Sequence, residues 1–127
     1  MTTATVPLIA ARQLKLAGLW LLIGLSLGIF MSARLDFTLR SVHAHINLLG
    51  WATLALTGLV YAVYPVMAET ALARWHFWLH NLGLPVMMGG LVALMLGLHA
   101  AEPLVQIGAT TSVLGLCLFV LNLFRRL

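Results

Sequence analysis

Four uninterrupted apolar stretches, at about 14–33, 41–64, 75–98 and 104–124, constrain this chain more than any other feature of it. Each is at least about 20 residues long, and at about 1.5 Å of rise per residue a helix of that length crosses a hydrocarbon layer about 30 Å thick. The breaks carry helix punctuation: Arg34, Asp36 and Arg40 in the first, Pro65, Glu69 and Arg74 in the second, Glu102 and Pro103 in the third. Because 62% of the 127 residues are hydrophobic and only 8% are charged, a soluble domain of this length could not hide the apolar surface. The expected fold is therefore all-α: an integral membrane four-helix unit, one domain over residues 1–127, with the lipid bilayer as its main solvent. Short connections make sequential helices antiparallel neighbours.

The seven basic residues give the orientation. Arg12, Lys15, Arg74, Arg125 and Arg126 fall on one side and Arg34 and Arg40 on the other. The positive-inside rule then places both termini in the cytoplasm, as a multi-pass protein of a bacterial-type inner (cytoplasmic) membrane. Scattered in this way, the basic residues do not form a nucleic-acid surface. The first span is expected to stay in the chain instead of being cleaved as a leader, since it is long and Met31 suits a cleavage site poorly. The single cysteine, Cys117, excludes a disulfide framework within the chain. Small residues recur at Gly24, Gly28 and Ser32, at Gly83, Gly90 and Gly97, and at Gly108, Ser112 and Gly115. Such stripes let helix backbones approach closely in lipid.

Ionisable residues in a span are costly and need a reason. His43 and His45 open the second span at the outer face, His76 and His80 open the third at the cytoplasmic face, and His99 closes the third on the outer side. From His45 to Pro65 is about 30 Å of helix, so the outer and inner sets are separate sites. Residues i and i+2 of a helix project about 200° apart. His43 and His45 thus cannot grip one small ion from one face, whereas each can address a different neighbour. Haem suits that demand, because its iron takes an axial imidazole from one helix and leaves the other axial place to another. The alternative is that interfacial histidines bond only to backbone or headgroups.

The segment "SVHAHINLLGWATLALTGLVYAVYP" resembles the tenth helix of the catalytic subunit of haem-copper oxidases, especially the cbb-type oxidases and their nitric oxide reductase relatives. The shared features are His43-Ala44-His45, Leu49-Gly50-Trp51 and Tyr64-Pro65. "HFWLHNLG" at 76–83 is similar to the start of the family's next helix, and the span ending "LNLFRRL" to its last. In that family the first histidine of the pair ligates the high-spin haem and the second the low-spin haem. The resemblance thus implies haem ligation by His43 and His45. The family subunit has twelve helices in three four-helix arcs, of which this chain supplies one. Neither the family's copper-site His-His pair nor a counterpart of its active-site tyrosine is found, which sets an oxygen- or nitric oxide-reducing enzyme in doubt.

One arc per chain leads to the expectation of a homo-oligomer, with a trimer favoured, in which His43 of one protomer and His45 of the next face a common haem b. A copper or zinc ion on the threefold axis, held by one histidine from each chain, is the variant. The functions expected are a redox or gas-ligand (O₂/NO) haem protein working with a periplasmic electron donor, or a haem, copper or zinc carrier, sensor or assembly factor without turnover. A structural subunit without a cofactor is the third. His76 and His80 share one helical face, beside Trp75 and Trp78, and are expected to act as interfacial anchors, with His80 also a candidate for a second metal or a proton path. Met87, Met88 and Met95 are expected to be packing residues. His99 and Glu102 are expected in a solvated outer loop, with docking of a donor or ion as the alternative.

Overall fold

The computed structural model describes residues 5–127. Four long helices, α1 (Leu8–Arg34), α2 (Arg40–Val63), α3 (Ala71–Met95) and α4 (Glu102–Arg126), account for most of them. All four are long and apolar enough to cross a membrane. Their outward faces bear large apolar residues such as Leu22, Ile29, Leu56, Leu59 and Ile107, at 50–71% exposure. That suits a lipid solvent and would be untenable over such an extent in water.

The ends of the helices follow from local chemistry. Leu35 adopts the left-handed conformation (φ 52°) after α1, and the N–H of Asp36 bonds back to the Met31 carbonyl, closing the last turn. Asp36 then accepts from the backbone N–H and the hydroxyl of Thr38, at 3.0 and 2.6 Å. These bonds hold its carboxyl below the usual carboxylate range. A short helical turn, Pro65–Ala68, links α2 to α3. Thr70 caps α3 by accepting from the Ala73 N–H. Pro85 stands inside α3, where it withholds an N–H from the Asn81 carbonyl. Helix α3 ends at Met95, earlier than the apolar run suggests, and Gly97 (φ 97°) lies in the turn instead of on a packing stripe.

The chain packs as two hairpins. In α3/α4 the backbones nearly touch: a Cβ on Gly83 would stand 2.8 Å from the Gly108 carbonyl oxygen, and one on Gly108 would overlap the backbone of Met87. In α1/α2, Gly50 receives Trp20, Gly24 receives Asn47 and Gly28 receives His43. Gly24, Gly28, Gly83, Gly90, Gly108, Ser112 and Gly115 of the stripes read from the sequence thus pack within one protomer, whereas Ser32 is exposed. An apolar tier of Val42, Ile46, Leu84, Met87, Met88 and Leu91 fills the HxH half, and a second tier of Ala10, Tyr61, Met67, Ala68 and Ala73 fills the other half. Buried polar side chains lie between and around these tiers.

One departure from regular geometry positions everything at the HxH end. Residues Ile46–Ala52 of α2, immediately after His45, are π-helical. The Thr53 N–H bonds to the Leu48 carbonyl, five residues back, and the Thr53 hydroxyl donates to the same oxygen at 2.8 Å. Such wide turns are rare and occur frequently at functional sites.

Candidate functional site

His43 and His45 stand on the last turn of regular helix before the π segment, and both are half-buried. His43 Nδ1 lies 2.9 Å from the Gly24 carbonyl oxygen of α1, its ring seated against Gly28, where a Cβ would come 2.9 Å from Cε1. His45 Nδ1 lies 2.7 Å from the Ser41 carbonyl oxygen of its own helix. The two rings share no partner, as expected for i and i+2.

These two contacts decide the tautomer. A carbonyl oxygen only accepts, so in both rings Nδ1 carries the proton and donates it. In the neutral form of either ring Nε2 is then the lone-pair nitrogen. Asn47, whose Nδ2 donates to the His43 carbonyl at 2.8 Å, comes no nearer to His43 Nε2 than 3.5 Å, so that atom is at most weakly bonded. For His45 Nε2 no partner is found among the described residues. A neutral imidazole anchored through Nδ1–H to a backbone carbonyl, with Nε2 open, is the arrangement that metal-ligating histidines use. The donor set therefore fits axial ligation of a haem iron.

His76 and His80 depart from the sequence expectation. Neither is an interfacial anchor: both are fully buried. The physical reason is that α3 begins at Ala71, so His80 lies about 14 Å along the helix from its start. The face shared by the two rings turns toward α2 and α4. Trp75 and Trp78, on the other side of the helix, are the exposed pair. His76 Nδ1 shares a hydrogen bond of 2.8 Å with the Tyr61 hydroxyl, and its ring packs against Phe119. His80 Nε2 donates to the Leu49 carbonyl oxygen at 3.1 Å. The outer and inner sets are thus closer than their loops imply, since Leu49 is one helical turn from His45. His76 Nε2 and His80 Nδ1, with Ser112 Oγ and Asn122 Oδ1, find no partner among the described residues.

Sequence reasoning missed a polar layer that ties the helices together. Asn81 of α3 donates to Gln13 of α1 at 2.9 Å, and Gln13 donates to Thr57 of α2 at 3.3 Å. Asn122 of α4 donates to the Met67 carbonyl at 2.9 Å. Gln13, Thr57 and Asn122 are all buried. Isolated amides inside apolar runs were the available signal, because such groups face the bundle interior in a membrane protein.

His99 opens a short 3₁₀ turn, exposed, at the same end as the HxH pair, and no hydrogen bond joins it to that pair. Glu102 is exposed and accepts from Gln106. Cys117 is exposed on α4. Among the described residues, no three side chains of the His, Cys, Asp and Glu types come together as a metal-binding group. No protein family, curated protein or solved structure matches this chain.

Proposed function

We propose that the chain is a haem-b-binding protein of a bacterial-type inner membrane, with both termini cytoplasmic, acting as a redox or gas-ligand (O₂/NO) protein. The observation that carries this reading is the shared anchoring of His43 and His45, each with Nδ1 set against a backbone carbonyl, so that Nε2 is the nitrogen the neutral ring can offer to a metal. Haem iron would supply one-electron exchange or gas binding. The chain's own residues supply the rest. Gly24 and Ser41 carbonyls fix the ring orientations. Gly28 leaves room for the His43 ring, and Asn47 braces the turn that carries it.

Three copies arranged about an axis would bring His43 of one protomer and His45 of the next toward one haem. The opposed directions of the two rings and the likeness of the chain to one arc of haem-copper oxidases support that assembly. The concentration of basic residues where α1 and α3 begin and α4 ends supports the cytoplasmic placement of that face. Protein purified with haem supplied should show a Soret band and a native mass of three chains with bound haem. Protein without the band, or a monomer, contradicts the reading. Uptake of copper or zinc in place of haem, by the same two histidines, would instead identify a carrier or sensor.

A further inference from the structure

His80 is the buried ionisable group that the haem reading leaves without a task, and burying an imidazole within a span is costly. Its one polar contact among the described residues is with a backbone carbonyl of a different helix, that of Leu49. In an α-helical turn the Leu49 oxygen would receive the Thr53 N–H; here that N–H goes to Leu48, and Leu49 takes the His80 Nε2–H at 3.1 Å. The His80 bond thus falls on a carbonyl that the π-helical register has released from the Thr53 N–H.

The register of that segment decides where the HxH pair points. Below it, α2 is held by Thr57 against Gln13 and by Gly58 against Gln13 and Leu14. With that lower part fixed, one residue more or fewer in the intervening turns rotates the upper part by about 100° and shifts it by about 1.5 Å. In a regular helix His43 would leave the Gly24 carbonyl and the groove at Gly28. The backbone that carries His80 is packed closely on α4 at Gly115, where a Cβ would stand 2.9 Å from the His80 backbone nitrogen.

We infer that His80 is a positioning residue for the HxH pair: through the Leu49 carbonyl it holds the π-helical register of α2 and thereby aims His43 and His45. Its haem arm rests on the proposed function, but the positioning itself is a property of the chain alone. The test uses full-length protein in lipid nanodiscs, ¹⁵N-labelled at histidine, as wild type, His80→Met, His80→Gln and His76→Met. Methionine keeps volume without a donor, whereas glutamine keeps an N–H donor. The ring-nitrogen resonances of His43 and His45 should show the Nδ1–H tautomer in the wild type, move in His80→Met, return in His80→Gln and stay in place in His76→Met. Haem affinity should follow the same pattern, falling about tenfold to a hundredfold in His80→Met. Unmoved resonances in His80→Met, or equal displacement in both His80 variants, overturns the inference. If His80→Met does not fold, His80→Gln must still carry wild-type resonances and haem affinity, and their loss overturns it. The expected resonance pattern in a protein that takes up no haem would reject the haem reading and leave the positioning role intact.

Discussion

His43 and His45 are half-buried and each is held by one nearby carbonyl, whereas His76 and His80 are fully buried and held by groups of another helix. In the first pair the anchoring nitrogen is the same, Nδ1, and both rings are half-buried. In the second pair the anchors differ, Nδ1 in one ring and Nε2 in the other, and the free nitrogens are enclosed. Proximity in sequence would have ranked the i, i+4 pair as the better chelator. Burial reverses that ranking: the inner pair is enclosed in the bundle, and the outer pair is the one the proposed function gives to a ligand.

If the inner pair is architectural, damage to its surroundings should cost stability before it costs ligand chemistry. Gly108→Leu, which forces a side chain into the Met87 backbone, should have the largest effect, about 3 kcal/mol, by opening the α3/α4 hairpin that carries both inner histidines. Unfolding in denaturant-titrated micelles measures it. His76→Ala should follow at about 2 kcal/mol, since it leaves a cavity beside Phe119 and strips the Tyr61 hydroxyl of its partner. His43→Ala should cost only about 1 kcal/mol by the same assay, because its ring is half-buried and makes a single bond to backbone. Equal losses for His76→Ala and His43→Ala would break the comparison.

The smallest effect belongs to the loop between α1 and α2. Asp36 has its pKa lowered by bonds from Thr38, so its stabilising contribution is present above the ordinary carboxylate range and is lost as pH falls through its depressed value. Asp36→Asn should remove that acid-side dependence together with the small neutral-pH contribution it reflects, small because the group is fully exposed. A pH series of thermal melts for the two proteins checks it.

The four helices were legible because hydropathy over about 20 residues is a strong signal and Arg34, Pro65 and Glu102 punctuate it. That His43 and His45 would not share a partner was legible from helical rotation alone. The depth of His80 was not, because the start of α3 is set by the Thr70 cap, several residues before the apolar run becomes continuous. Nor was the π segment: "INLLGWA" reads as ordinary helix, and what stabilises its wide turns, the Thr53 hydroxyl and the His80 ring, comes from outside it. Gly97 was misplaced for a related reason, since an apolar run does not reveal a left-handed residue within it.

The most direct measurement is the visible spectrum of wild type, His43→Ala, His45→Ala and His76→Ala, each purified with haem supplied and compared at equal amounts of folded protein. The account predicts a Soret band in the wild type and in His76→Ala and its loss in both HxH variants. A band that survives in His43→Ala and His45→Ala, or that disappears in His76→Ala while the fold is intact, would contradict it.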